Sequence, residues 1–170
     1  MGQAMPFDRT EPSAANQYQA ASAELILASH RQLLQRDLLP RAASGSHVAG
    51  ALYHAPFVVL AHDTAPDPVF FYANLLAQQL FAMSWEEMVC LPSRLSAEPL
   101  AREERQRLLD RVASHGYIDD YSGIRIARTG QRFRIERATV WNLVTGDETV
   151  VGQAAAFGSW VTLHQGDSLQ

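Results

Sequence analysis

The chain has 170 residues, 14 basic and 18 acidic, for a net charge of −4, and every basic residue is arginine. Without lysine there is no Schiff-base chemistry and no lysine-clamped phosphoryl transfer. The single cysteine, Cys90, excludes an intramolecular disulfide and a cysteine-built zinc site. The acidic balance, with a pI of about 5.8, argues against nucleic acid as a partner, which calls for a basic footprint.

Residues 1–15 are polar and contain Pro6 and Pro12, so a flexible tail is expected. No apolar run is long enough for a bilayer, and the first residues lack a signal-peptide core. A cytoplasmic protein with no membrane partner is the expectation. Asn16 has the chemistry of a helix N-cap. From Gln17 to Leu39 there is no Gly or Pro, and Tyr18, Leu25, Ile26, Leu33, Leu34 and Leu38 recur near helical spacing until Pro40. Such a helix can lie on the domain's own core or between two protomers. Residues 42–47 read as a connector and Val48 to His54 as a short helix, giving an N-terminal helical extension over 16–54.

A domain over 55–163 follows. Pro56 to His62 reads as a buried strand, residues 63–68 as a loop, and Val69 to Tyr72 as a second strand of a hairpin. Asn74 can cap a helix from Leu75 to Met83. Ser84 with Glu87 three residues on is a capping-box pattern. Residues 90–96 are irregular around Pro92. Pro99 opens a helix with Leu100, Leu108, Leu109 and Val112 on its apolar stripe, and Gly116 closes it. Tyr117 to Ala127, Arg132 to Leu143 and Thr149 to Leu163 read as a meander with turns at Thr129-Gly130 and Gly146-Asp147. Residues 164–170 form a polar tail.

The order β-β-α-α-α-β-β-β predicts an α+β domain. Its core is a five-stranded antiparallel sheet with helices on one face, the order of the PAS fold. Several runs carry a closer resemblance: APFVVLAH (Ala55 to His62), FFYANLLAQQLF (Phe70 to Phe81), LPSRLSAEP (Leu91 to Pro99), the stretch from Ile118 to Leu143, and GQAAAF (Gly152 to Phe157). In these the chain resembles the MEKHLA family, a PAS-like domain that stands alone in bacteria and ends certain plant homeodomain–leucine-zipper factors. The resemblance implies a PAS-like fold and a sensory or regulatory role. It implies no DNA binding, because the chain has neither homeodomain nor zipper.

PAS-type flavin photochemistry needs a reactive cysteine in an N-C-R-F-L-Q motif. Aligned on Glu87 and Arg94, that position here is Ser93, which cannot form the adduct. Cys90 lies three residues earlier. The flavin-facing asparagines of light-oxygen-voltage domains align with Arg125 and Ile135, and Gln153 is offset by one from their glutamine. No resident cofactor is expected, while non-covalent flavin or another small ligand stays open. No histidine sits in a metal or haem motif, although Asp63 beside His62 can orient its ring. Asp119 and Asp120 are adjacent on a strand and point to opposite faces, which rules out a catalytic pair.

Arg94 and Arg125 are the residues suited to a carboxylate or phosphate. Aromatic side chains and small polar groups would complete a pocket, which gives a candidate ligand set of Tyr72, Asn74, Ser93, Arg94, Tyr121, Arg125, Trp141 and Gln153. The small side chains from Gly152 to Ala156 leave room above the sheet. The expected function is a sensory or regulatory module that binds a small ligand or a protein partner without evident catalysis. It is expected to form a homodimer through the N-terminal helix and the outer face of the sheet. The alternatives are a ligand-free interaction module or, less favoured, an enzyme using the same cavity.

Overall fold

The structure, a computed structural model, describes residues 7–40, 47–97 and 99–164, leaving out the side chains of 99–102 and 105. Most of the 42–47 connector, the role of Leu100, and the outer six residues of each tail lie outside the described residues. The elements in chain order are α1 (Ala20–Leu34), α2 (His47–Tyr53), β1 (Val58–His62), β2 (Phe70–Ala73), α3 (Leu75–Phe81), α4 (Trp85–Met88), α5 (Pro99–His115), β3 (Tyr117–Ile126), β4 (Arg132–Val144), β5 (Val150–Phe157) and β6 (Ser159–Leu163).

All strand pairs are antiparallel and form one sheet in the order β2-β1-β5-β4-β3, with β6 also on β4. The predicted strand over 149–163 is split at Gly158 into β5 and β6. The register on β4 carries straight through the break: Thr139 opposes Ala156, and Glu136 opposes Ser159. The break sits beside Arg137, which has a left-handed φ of 52°. The sheet thus has six strand segments where five strands were expected. β3 is its outer strand, with two register irregularities around Tyr121 and exposed Asp119 and Asp120.

Helices cover both faces of the sheet: α3 and α5 lie on the inner face, and the expected N-terminal extension, α1 and α2, lies on the outer. On the inner face, Val58, Phe157, Ile135 and Phe133 pack with Ala77 and Phe81 of α3. Leu108 and Val112 of α5 pack on Val140 of the same face. On the outer face, Val59, Ala61, Trp141 and Ala156 pack with Ala23 and Ile26 of α1 and Leu52 of α2. The cause is written in β1: Val58, Val59, Leu60 and Ala61 are all apolar, and a strand without alternation is one buried on both sides.

Helix α1 begins at Ala20, after Gln17, Tyr18 and Gln19 have taken left-handed φ angles of 53–55°. Asn16 does not cap it; its Oδ1 accepts from the amides of Ser13 and Gln19 within the preceding turn. The helix ends at Leu34, with Gln35 left-handed at 58°, five residues short of Pro40. Its apolar side is bolted to its own sheet. Trp141 Nε1 donates to Ile26 O at 3.1 Å, and Val144 N donates to Ser29 Oγ at 2.8 Å. Of the two readings of this helix, the intramolecular one is what the structure displays. Its outward residues are Ala21, Glu24, Ala28, Arg31 and Gln32.

Residues 7–15, where the sequence predicts a flexible tail, also rest on the fold. The Phe7 ring stacks on Phe71 at 3.6 Å between centroids, and Arg9 pairs with Asp63 at 2.7 Å. Trp85 Nε1 donates to Arg9 O at 2.8 Å.

His30 is buried edge-on against Trp141, with Nδ1 3.0 Å from Arg36 O. Burial holds its pKa below 6.5; the bond to Arg36 O and the charge of Asp37 pull it up, and the charge of Arg36 pulls it down. The unfolded chain therefore takes the proton first. His30 supports the fold above about pH 6.5 and loses that support as pH falls below it. The urea midpoint of the wild type is expected to drop between pH 7.5 and 5.5, and His30→Asn to flatten that slope. Equal slopes would remove His30 as the cause.

Candidate ligand-binding site

A cavity of about 60 Å³ lies between the inner face of the sheet and α5. Strand pairing dictates its floor. His62 opposes Gln153, which opposes Asn142, and Leu60 opposes Ala155, which opposes Val140. Residues directly opposite share a face, so the sheet offers two rows to the cavity. Leu108 and Leu109 of α5 lie across from that floor, and Phe70, Phe81, Ile135, Phe157, Tyr121, Arg125 and Ser96 belong to the same lining.

Arg125 is 8% exposed. Its Nη1 donates to Ile124 O at 2.8 Å and its Nη2 to the Tyr121 hydroxyl at 3.0 Å, with the guanidinium 5.5 Å from the Tyr121 ring centroid. Gly123 makes this fold-back of Tyr121 possible, since a Cβ there would overlap the tyrosine hydroxyl. No carboxylate among the described residues pairs with Arg125. A cation held in an apolar wall without a counter-charge is costly.

Gln153 is fixed by a relay. Its Nε2 donates to Asn142 Oδ1 at 3.2 Å, and Asn142 Nδ2 donates to Val112 O at 3.1 Å. Its Oε1 is buried with no hydrogen-bond partner among the described residues. The small residues beside it divide in role. At Gly152 the space is taken, because a Cβ would come within 2.5 Å of His62 O. At Ala155 the short side chain lines the cavity.

Of the eight sequence-predicted ligand residues, the structure places Tyr121, Arg125 and Gln153 in the lining of this cavity, with Gln153 and Arg125 toward opposite ends of β4, and the other five outside it. Trp141 lies on the opposite face, one residue out of phase with Val140 and Asn142. Asn74 is completely buried. Its Oδ1 accepts from Val59 N and Ala77 N, and its Nδ2 donates to Leu52 O and Phe57 O. Those four bonds use its full capacity. Ser93 is buried in the turn from Ser93 to Ser96, where its amide donates to Pro68 O and its carbonyl accepts from Ser96 Oγ. Arg94 spends its fork on Asp67, at 3.0 and 3.2 Å, on the surface. Tyr72 packs on Trp85, its hydroxyl buried without a partner among the described residues and its pKa pushed far up by burial.

Sequence reasoning missed His62, Leu60 and Ser96 as lining residues. The two β1 residues were within reach, because alternation from Gln153 through Ala155 to Phe157, mirrored on β1, selects His62, Leu60 and Val58. His62 Nδ1 lies 2.8 Å from the carbonyl oxygen of Asp63. The Asp63 carboxylate instead accepts from the amides of Ala65 and Val69 and pairs with Arg9. No group of three or more His, Cys, Asp or Glu among the described residues is placed to hold a metal. The lining offers a cation at Arg125, an amide acceptor at Gln153, the His62 ring, Ser96 and an otherwise largely apolar wall.

Solved structures share this architecture. A PAS domain from Colwellia psychrerythraea superposes with a TM-score of 0.56 at 16% identity, over 64% of this chain and 89% of that one. A light-oxygen-voltage domain, studied with a flavin analogue, gives 0.55 at 17%, over 73% and 89%. An RNA-binding light-oxygen-voltage receptor gives 0.57 at 20%, over 70% of this chain and 34% of the receptor, so the chain spans about a third of that molecule. At these identities the likeness establishes the fold, which is PAS-like. No curated protein matches the chain. The MEKHLA domain model matches residues 20–162, which takes in α1 and α2 as well as the sheet, and the chain therefore belongs to the MEKHLA domain family.

Proposed function

We propose that this protein is a sensory or regulatory module in which a small ligand enters the inner-face cavity and resets the position of α5. The observation that carries the reading is the cavity's placement between a firmly built sheet and a lightly held helix. The described apolar anchors of α5 are few, with Leu108 and Val112 buried, while Glu103, Glu104, Gln106, Arg107 and Asp110 face solvent. The sheet beneath is clamped by apolar layers on both sides. Filling the cavity therefore displaces the helix and leaves the sheet in place, a shift between two packings driven by their different affinities for the ligand.

Volume sets the ligand's size. With about 60 Å³ of free space, the cavity suits a small ligand. The polar outer side of α1 supplies no apolar seam for a dimer, so α5 is the better output surface. Among the described residues no helix is long and apolar enough to cross a membrane.

A thermal-shift screen of compounds of up to about eight heavy atoms tests the reading, run on wild type and Ala155→Leu. At least one compound is expected to raise Tm in the wild type and not in the variant, whose longer side chain fills the cavity. If no compound acts, or the variant responds equally, the reading fails.

A further inference from the structure

Arg9, Arg94 and Arg134 each meet a carboxylate, from Asp63, Asp67 and Glu136 in turn. Arg125 meets none among the described residues, although it lines the cavity and is more than nine-tenths buried. Its hydrogen bonds go to a neutral carbonyl and a neutral hydroxyl. A guanidinium carries five donors, so most of its capacity is left over. The Tyr121 oxygen accepts from Arg125 and therefore keeps its own proton to give. With the tyrosine folded over Gly123, hydroxyl and guanidinium form one donor cluster that carries a single positive charge. A carboxylate answers both needs, because it takes two guanidinium donors side by side and brings one negative charge. A dianion would leave charge uncompensated in an apolar wall.

The other polar groups of the lining are held elsewhere. Gln153 and His62 oppose each other in the row of Asn142, whereas Arg125 opposes Phe133 toward the other end of β4. His62 Nδ1 lies against Asp63 O, Ser96 Oγ donates to Ser93 O, and Gln153 Nε2 donates to Asn142. Between the two ends the floor is apolar: Ala138 opposite Tyr121, then Val140, Ala155 and Leu60 in the next row. Rows stand two residues, about 7 Å, apart, so a chain of about three to six carbons held on Arg125 ends before the Gln153 row.

Resting on the cavity reading above, we infer that the site takes a short-chain aliphatic monocarboxylate. Its carboxylate lies on Arg125 and the Tyr121 hydroxyl. Its alkyl tail runs over Ala138 toward Ala155, beneath Leu108 and Leu109. Gln153, His62 and Ser96 take no part in holding it.

The test is calorimetric titration and thermal shift of the full chain with sodium butyrate, sodium acetate and butyramide at constant ionic strength. Butyrate at about fivefold its Kd is expected to raise Tm by about 2–4 °C. Acetate, two methylenes shorter, is expected to bind about tenfold more weakly. Butyramide has the same size and shape without the charge, and is expected to bind at least about tenfold more weakly. Arg125→Gln should erase the preference for butyrate over butyramide. Should that variant fail to fold, the comparison of the two compounds on wild type decides by itself, and Tyr121→Phe should weaken butyrate several-fold. Equal binding of butyrate and butyramide, acetate binding as tightly as butyrate, or a folded Arg125→Gln with the wild-type preference overturns the assignment. In each case the cavity reading survives provided Ala155→Leu still abolishes binding. If none of the three probes binds while another screened compound acts in an Ala155-dependent way, the assignment again falls alone. Butyrate binding that Ala155→Leu leaves intact overturns both.

Discussion

Asn74→Leu is expected to abolish cooperative unfolding at ordinary temperatures. The substitution keeps the branching and number of side-chain heavy atoms and removes every polar atom. Val59 N, Ala77 N and Phe57 O then lose their side-chain partner together, while Leu52 O keeps the amide of Ala55. Each buried orphan costs about 1–3 kcal/mol. Three of them come to roughly 3–9 kcal/mol, against a total stability of about 5–15 kcal/mol for a domain. The side chain ties α2, the entry to β1 and the start of α3 to one point, so the damage does not stay local. A circular dichroism melt should show no sharp transition, or a Tm lower by more than about 15 °C. A variant melting within a few degrees of wild type would mean that the four bonds are not a structural knot.

Trp141→Ala should be the next most damaging change. Trp141 is fully buried on the outer face, bonded to Ile26 O and stacked edge-on with His30. Truncating a buried aromatic costs about 3–5 kcal/mol, which at this chain length is a Tm loss of roughly 6–20 °C. The loss should be directional. Hydrogen exchange should speed up in α1, which loses its main anchor, more than in α5. Trp141→Phe, milder in volume, should fold and keep the wild-type affinity for any compound that the thermal-shift screen finds, because the residue stands on the far side of the sheet from the cavity. A large change in affinity in that folded variant would place Trp141 in the site after all.

These two residues show what the sequence could convey. The element order, the Ser84 box and the Asn74 cap were all readable, because each depends on residues a few positions apart. The full role of Asn74 was not, since Leu52 and Phe57 reach it only through the fold. Arg94 and Arg125 looked equivalent as isolated arginines. What separates them is Asp67, 27 positions from Arg94 and brought beside it by the β1–β2 loop. Trp141 was misplaced by a single step of register, which on a strand is a whole face. The second helical layer was signalled by the unbroken apolar run of β1. The point at which α1 begins was not, because three glutamine and tyrosine residues in left-handed geometry contradict their ordinary preference.

The outer strand β3 has a further consequence. A strand at the rim of a sheet exposes a row of unpaired backbone groups, and a straight, apolar rim invites a second chain to dock along it. Here the rim is bent by register breaks on either side of Tyr121, and its first half carries Asp119 and Asp120 toward solvent. A kinked edge with adjacent negative charges makes a poor template for strand-on-strand growth. The protein can thus keep a ten-residue edge strand at its border without courting fibril-like association.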